Sequence, residues 1–281
     1  MARGETVEPA STDGPVEDRE PHIEVSGLKL FYAGQEILRD ITFTVGRGDI
    51  FVIMGGSGSG KSTLLRSMIG LLEPDAGEVR FGGQSFTRAE REERAAMLRR
   101  FGVLYQKGAL WSSMTLAENI GLVLEEYTDL GPAEVREVAS FKLALVGLSG
   151  FEDHLPGEVS GGMQRRAGIA RAMTLDPEIL FLDEPSAGLD PITSRRLDDL
   201  IVALRESLGA TIVVVTHELE SLLAIGDNSV FLDGETKTII ARGAPQDLLE
   251  GCTDPKVQAF LRRSQAPGEG AIADNIRMRS V

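Results

Sequence analysis

Residues 51–64 read FVIMGGSGSGKSTL, an apolar run followed by a glycine-rich loop and a single lysine. The uninterrupted apolar stretch from Ile50 to Met54 is typical of a β-strand that is covered on both faces. Residues 62–72, STLLRSMIGLL, have the composition of a helix. The stretch therefore predicts a buried strand, a tight turn that favours glycine, and a helix that starts at Lys61.

The loop fits the pattern G-x-x-x-x-G-K-[ST], which has a direct chemical interpretation. Its backbone N–H groups point inward and, with the positive end of the helix, form a nest for the phosphates of a nucleotide. We expect Lys61 to place a positive charge at the β and γ phosphates and the Ser62 hydroxyl to ligate Mg²⁺. The predicted phosphate-binding positions are Gly55, Gly56, Ser57, Gly58, Ser59, Gly60, Lys61, Ser62 and Thr63.

Further strand patterns predict an α/β fold around this loop. ILFLDE at 179–184 and TIVVVTH at 211–217 are also continuous apolar strands, and helical periodicity lies between them. Covered strands that alternate with helices predict a P-loop NTPase core with a mostly parallel sheet. The alternating patterns at 22–32 and 37–45 predict an antiparallel β subdomain. The helical stretch at about 107–175 reads as an inserted α-helical subdomain.

Composition sets the domain limits and excludes one class of partner. We expect one folded domain over residues 22–263, with a disordered acidic tail at 1–21 and a flexible tail at 264–281. The net charge is −14, which argues against nucleic acid as a partner because phosphate contacts need clustered lysines and arginines. No stretch of this sequence approaches the roughly 18 consecutive apolar residues of a membrane span.

Polar side chains end three of the predicted strands, where ligands of open α/β sheets bind. Asp183 could hold Mg²⁺, and Glu184 could take a proton from an attacking water molecule. His217 could reach the γ-phosphate and orient that water, although a surface histidine at a strand end is the alternative. Gln106 could ligate the metal or position water, or be a polar strand end without a role.

A second small-residue helix start occurs at Ser160, Gly161 and Gly162, with Ser160 as the predicted N-cap. One nucleotide cannot easily use two such sites from one subunit. A head-to-tail dimer could use both, with each ATP between the Lys61 loop of one chain and Ser160 of its partner. An ordinary helix cap with close packing is the alternative.

In the order in which they occur along the chain, these motifs resemble those of ATP-binding subunits of ABC transporters over residues 22–263. GGSGSGKS is similar to the Walker A motif, VSGGM to the signature, ILFLDE to Walker B and SAGLD to the D-loop. Gln106 occupies the Q-loop position and His217 that of the switch histidine. The resemblance implies an ATPase that uses ATP and Mg²⁺.

The resemblance also implies roles that spacing alone does not give. Tyr32 would stack on adenine, with Phe31 as its fallback, and Asp190 would communicate between the two ATP sites. The family's usual signature is LSGGQ, whereas this chain has Val159 and Met163 at the first and last positions. Because the expected phosphate contacts between them are intact, both sites of a homodimer should be competent.

Three segments resemble the ATPases of Mla/Mce-type lipid transport systems more narrowly. They are QKGALW at 106–111, the stretch 145–173 and DEPSAGLDPIT at 183–193. This resemblance implies phospholipid transport through a MlaE-like permease, with an Mce-domain lipid-binding protein as a further partner. It also implies a peripheral location at the cytoplasmic face of the inner membrane. A nutrient-importing ABC transporter and a non-transport regulatory ABC ATPase are the alternatives.

Large apolar residues follow Gln106, at Leu110, Trp111 and Met114. Tryptophan is favoured at interface hot spots, so we expect this segment to form a groove for a coupling helix of the permease. Burial within the core of the helical subdomain is the alternative.

Overall fold

A computed structural model describes residues 19–106 and 109–262. The predicted terminal tails therefore lie outside the described residues, except for residues 19–21 of the N-terminal one. There Arg19 donates to Asp49, Glu20 accepts from the Arg47 N–H, and Pro21 begins the first strand. The strands are β1 Pro21–Tyr32, β2 Gln35–Gly46, β3 Ile50–Gly55, β4 Ala76–Phe81, β5 Gln84–Ser85, β6 Phe101–Leu104, β7 Ile179–Asp183, β8 Thr211–Val215, β9 Asn228–Asp233 and β10 Thr238–Gly243.

The helices lie mainly after β3 and between later strands. They are α1 Lys61–Met68, α2 Arg91–Leu98, α3 Leu116–Tyr127, α4 Pro132–Leu145, α5 Gly161–Ala172, α6 Pro191–Leu208, α7 Leu219–Ile225, α8 Pro245–Gly251 and α9 Pro255–Leu261, with a short 3₁₀ helix at Pro156–Glu158.

A six-stranded sheet in the order β10-β9-β3-β8-β7-β6 forms the centre of the molecule. All its neighbouring pairs are parallel except β10 with β9. Every residue of β3, β7 and β8 is buried, as the continuous apolar runs predicted, because hydrophobic clusters cover both faces of the sheet. The carboxyl ends of β3, β7 and β8 therefore meet at one edge.

A second sheet, in the order β2-β1-β4-β5, is antiparallel throughout. It packs on one face of the central sheet, where the rings of Phe43 and Phe51 stack with centroids 5.1 Å apart. This is the predicted antiparallel subdomain. It brings the tip of the β1–β2 hairpin beside the glycine-rich loop, since Leu38 and Ile37 would lie about 3 Å from a Cβ at Gly60.

Helices α3 to α5 are inserted between β6 and β7. Thr115 caps α3, and the bond is reciprocal: Glu118 N–H donates to Thr115 Oγ1 at 3.2 Å, and Thr115 N–H donates to Glu118 Oε2 at 2.7 Å. The insert shares a hydrophobic cluster with α6 and with the face of the central sheet opposite the antiparallel sheet. It thereby carries the start of α5 to the same side of the molecule as α6.

Within residues 19–106 and 109–262, no helix combines the length and the apolar character needed to cross a bilayer.

Candidate nucleotide site

A cavity of about 570 Å³ opens at the edge where the central strands end. It brings together the glycine-rich loop and three of the predicted strand-end residues. Its lining residues are Ile37, Gly55, Gly56, Ser57, Gly58, Ser59, Gly60, Lys61, Ser62, Thr63, Gln106, Glu184, His217, Leu219 and Phe260.

The glycine-rich loop follows β3 without a break and leads into α1, as predicted. Gly55 has φ 148°, and a Cβ there would lie 2.4 Å from the Leu232 carbonyl oxygen and 2.7 Å from Ser59 Oγ. Only glycine fits at this position. The close approach fixes the loop against β9.

The Lys61 ammonium is buried and donates to the carbonyl oxygens of Gly55 at 2.8 Å and Gly56 at 2.9 Å. Burial lowers the pKa of Lys61, while the charges of Glu184 and Asp183 oppose that shift. The lysine is thus held across the mouth of the loop, close to where an anion would enter.

Ser62 lines the cavity, and Asp183 is its buried hydrogen-bond partner just outside the lining residues. Ser62 Oγ donates to Asp183 Oδ1 at 3.3 Å. Burial and the neighbouring charge of Glu184 raise the pKa of Asp183, and the Ser62 hydrogen bond opposes them. A divalent cation would offset this crowded negative charge. Hydroxyl, carboxylate and the amide of Gln106 are the oxygen donors that Mg²⁺ prefers, so the residues fit this ion.

Mg²⁺ usually takes only one or two carboxylates and keeps several waters. The part of the chain that the structure describes contains no group of three or more His, Cys, Asp or Glu residues able to hold a metal. The predicted ligand set of Ser62, Gln106 and Asp183 contains one carboxylate, within the one or two that Mg²⁺ usually takes, and it stays a prediction.

Glu184 and His217 are paired across the ends of β7 and β8. His217 Nδ1 lies 2.8 Å from both carboxylate oxygens of Glu184. An ionised carboxylate only accepts hydrogen bonds, so Nδ1 carries the proton and donates it. Only Oε1 receives a well-aligned bond, whereas Oε2 is buried without one among the described residues. Glu184 also has φ 51°, a left-handed conformation that is strained for glutamate and common at functional sites.

The second helix start lies in a different place. Ser160 caps α5, as predicted, by accepting from Met163 N–H at 3.3 Å. Asp190 caps α6 and accepts from the Thr193 hydroxyl at 2.5 Å. Gly162 faces that threonine, because a Cβ on Gly162 would lie 2.5 Å from Thr193 Cγ2. The signature-like and D-loop-like segments thus pack on each other and do not line the phosphate cavity.

Apolar residues other than the predicted Tyr32 line the cavity. Tyr32 ends β1 and is 60% exposed, outside the residues that line the cavity. Ile37 and Phe260 line it instead, and neither was predicted from sequence. The alternation of β2 could have suggested Ile37, whereas Phe260 arrives from α9 at the far end of the chain and has no local signal.

Trp111 is 59% exposed, which favours the predicted surface over the alternative of a core residue. Its backbone is held by Asn119, which is fully buried. Trp111 N–H donates to Asn119 Oδ1 at 2.7 Å, and Asn119 Nδ2 donates to the carbonyl oxygens of Trp111, Met114 and Thr115 at 3.1, 3.1 and 2.9 Å. The buried amide therefore presents the indole to solvent.

The chain is similar to known proteins over most of its length. The profile of the ABC transporter family matches residues 38–187. The chain is 41% identical over 239 residues to the probable ribonucleotide transport ATP-binding protein mkl of Mycobacterium tuberculosis, covering 85% of this chain and 66% of that protein. It is 41% identical over 225 residues to the intermembrane phospholipid transport system ATP-binding protein MlaF of Escherichia coli, covering 80% of this chain and 82% of that protein.

A solved dimeric ATP-binding cassette, in a post-hydrolysis state with bound ADP and phosphate, matches with a TM-score of 0.71 at 28% identity. The match covers 79% of this chain and 98% of that one. The predicted fold class, a P-loop core with an antiparallel β subdomain and a helical insert, is thereby confirmed. The chain spans just under two thirds of the length of the mycobacterial relative.

Proposed function

Because this chain belongs to the ABC transporter family, we propose that it is an ATP-hydrolysing subunit that energises phospholipid transport across the cell envelope through a separate MlaE-like permease. One observation supports the ATPase assignment most directly. A single cavity joins the glycine-rich loop and Lys61 to the hydrogen-bonded pair of Glu184 and His217.

The phosphates of ATP would occupy the nest of N–H groups between Gly55 and Thr63. Lys61 would exchange its two carbonyl partners for the β and γ phosphates, because a charge-assisted bond to phosphate is stronger than a bond to a neutral carbonyl. Tyr32, at the exposed tip of the β1–β2 hairpin, would stack on adenine from outside the phosphate cavity. Ser62, Gln106 and Asp183 would hold Mg²⁺, which when bound supplies positive charge to the phosphate oxygens.

Glu184 would act as the general base. Its Oε2 has no hydrogen-bond partner among the described residues and would take the proton of a water molecule, while Oε1 receives the hydrogen bond from His217. A base held in this way contributes about 10²–10⁴-fold to the rate. His217 is the positioning group, since its side chain lines the cavity and is 56% exposed, with Nε2 3.8 Å from Glu218 Oε1.

A complete ATP site would require a second copy of the chain. Ser160, Gly161 and Gly162 lie outside the phosphate cavity, so they do not reach a nucleotide bound by Lys61 of their own chain. A head-to-tail pair would place them on the partner's ATP, with Asp190 at the same junction. The dimeric cassette that this chain resembles supports such an arrangement.

The cargo and the membrane partners follow from the likeness to MlaF, whose name states intermembrane phospholipid transport. We assign phospholipid as the cargo, an Mce-domain protein as a further partner, and the cytoplasmic face of the inner membrane as the location. The exposed Trp111 surface would receive the permease. A ribonucleotide is the competing cargo, because the mycobacterial relative carries that name.

The test is purification of the tagged full chain from its native membranes in mild detergent, followed by mass spectrometry of co-purifying proteins and lipids. A MlaE-like permease, an Mce-domain protein and bound phospholipid are the expected result. The matched control is Trp111→Ala, which should purify without the permease.

Other outcomes would contradict the proposal. A permease that arrives with a solute-binding protein would favour a nutrient importer, and uptake of labelled ribonucleotide by the purified complex in vesicles would favour the competing cargo. Purification with no permease at all would favour a regulatory ABC ATPase.

A further inference from the structure

Arg165 lies on α5, one turn beyond the signature-like Ser160, and is 9% exposed. Its Nη2 donates weakly to the Ala187 carbonyl oxygen at 3.4 Å. Its Nη1 is buried without a hydrogen-bond partner among residues 19–106 and 109–262. A buried guanidinium with so few partners loses hydration free energy, so its environment needs an explanation.

The segment that Arg165 contacts is the turn that holds Glu184. Glu184 N–H donates to the Val215 carbonyl oxygen at 2.8 Å, and Ala187 N–H donates back to the Glu184 carbonyl oxygen at 3.3 Å. Glu184 has a left-handed backbone, as noted above. Ser186 Oγ, inside the same turn, is likewise buried without a partner in the described part of the chain. The turn is therefore strained and only partly satisfied by its own hydrogen bonds.

The Arg165 and Glu184 side chains carry opposite charges. Burial lowers the pKa of Arg165, and the attraction of the Glu184 carboxylate is the opposing influence. Lys61 faces Glu184 from the cavity, whereas Arg165 reaches its turn from the helical insert. Arg165 is therefore a second cation near the Glu184 carboxylate. It approaches from the helical insert and not from the cavity, so a bound phosphate would not contact it.

We propose that Arg165 is a positioning residue that holds the Glu184 turn in its strained conformation and links it to α5. The side chain acts through the Ala187 carbonyl and through the charge of the Glu184 carboxylate. Because Ser160 is the N-cap of α5, a nucleotide bound to the partner chain at Ser160 would act on the base of this chain through the same helix. The inference rests on the proposed role of Glu184.

The experiment is a double-mutant cycle between Arg165→Gln and Glu184→Gln in the full chain, with single-turnover hydrolysis and the KM for ATP as readouts. Arg165→Gln should lower kcat by about ten- to hundredfold, with KM changed by less than about threefold, because misplacement of the base affects only the chemical step. In the Glu184→Gln background the same change should lower the residual rate by less than about twofold.

Arg166→Gln is the matched control. Its guanidinium lies on the same helix but donates to the carbonyl oxygens of Val146 and Gly147 at the end of α4, at 2.9 and 3.2 Å. We expect it to lower the melting temperature and to reduce kcat by no more than about threefold.

Two outcomes would overturn the inference. One is an unchanged kcat in Arg165→Gln. The other is an equal loss of kcat in both backgrounds, which would indicate a general packing effect. If Arg165→Gln does not fold, Arg165→Lys replaces it, and a loss that persists in the Glu184→Gln background again contradicts us. Near-normal hydrolysis by Glu184→Gln alone would instead remove the proposed base, so the two failures are distinguishable.

Discussion

His217 Nδ1 lies 2.8 Å from the carboxylate of Glu184, and this contact joins the ends of two neighbouring parallel strands. The histidine side chain is half exposed, whereas the glutamate is buried. The pair therefore combines an anion that is shielded from solvent with a donor that a bound nucleotide can reach. Both members should affect hydrolysis more strongly than ATP binding.

Glu184→Gln should keep ATP binding and lose turnover. The amide preserves the shape of the side chain but cannot accept a proton from water, so kcat should fall by about 10²–10⁴-fold. The variant should accumulate as a closed dimer with ATP, measured by size-exclusion chromatography with light scattering. Glu206→Gln, on an exposed part of α6, is the control. Hydrolysis near the unmodified rate would overturn the assignment of the base.

His217→Ala should lower kcat and leave KM for ATP nearly unchanged. Without the Nδ1 donor, the Glu184 carboxylate loses the one well-aligned side-chain hydrogen bond that it receives within the described part of the chain and can rotate away from the water. The loss should be about ten- to hundredfold, as for other groups that orient a catalytic residue. A rise in KM with an unchanged kcat would mean that His217 contributes to nucleotide binding and does not position the base.

The strand ends show how much of the site was predictable. Continuous apolar runs identified β3, β7 and β8, and parallel pairing then requires Lys61, Glu184 and His217 to meet at one edge. The position of Phe260 in the cavity lining was not predictable, because it results from packing between distant segments. The Phe260 ring lies 5.1 Å from that of Phe231, an edge-on contact between α9 and β9. No local pattern specifies such a pair.

Arg165 is a related case. An arginine on a helix resembles any solvated surface charge in the sequence, and only the burial of α5 against the turn after β7 distinguishes it from Arg166. Helical periodicity shows which residues share a face of the helix. Which neighbours that face contacts is known only from the structure. Side chains that act through long-range packing therefore remain beyond prediction from local motifs.

Gly162→Ala should destabilise the protein, although alanine normally stabilises a helix by about 0.5–1 kcal/mol relative to glycine. The new Cβ would lie 2.5 Å from Thr193 Cγ2, and that side chain is held in place by its hydroxyl bond to Asp190. The start of α5 must then move away from α6. Thermal melts should give a lower Tm for this variant and lower ATP-dependent dimerisation.

Two further variants identify the clash as the cause. Gly161→Ala is the control for stability, since the nearest atom to its Cβ is 3.9 Å away, and its Tm should not fall. Thr193→Ser removes the methyl group and keeps the hydroxyl, so it should restore the Tm of Gly162→Ala. A Tm of Gly162→Ala above that of the unmodified protein would disprove the close approach.

Trp111→Ala should separate transport from ATP hydrolysis. The indole is 59% exposed and its backbone is fixed by Asn119, so its removal changes a surface and not the core. The isolated chain should hydrolyse ATP within about twofold of the unmodified rate, and transport by the complex should be lost. Phe141→Ala, an aromatic residue of α4 that is 58% exposed, is the control and should retain the permease. Unaltered transport in Trp111→Ala would exclude this surface as the docking site.

Asp233→Asn should weaken the attachment of α9 in a pH-dependent way. Burial disfavours the Asp233 carboxylate, but hydrogen bonds from the Thr236 N–H, Lys256 and the Thr236 hydroxyl outweigh it and lower the pKa to about 2. Lys256 Nζ, on α9, lies 3.0 Å from both oxygens of Asp233. The carboxylate and the ammonium therefore join β9 to the helix that carries Phe260.

The sign follows from the lowered pKa. The unfolded carboxyl group titrates near 3.9, so the stabilisation by Asp233 is fully present above about pH 4 and is lost as the pH falls toward about 2. Urea unfolding should therefore give a constant difference between the unmodified protein and Asp233→Asn from about pH 5 to 8, and a shrinking difference below about pH 4. Glu235→Gln is the control, because Glu235 also meets Lys256 but is 83% exposed. A stability difference that grows as the pH falls would contradict the assigned direction.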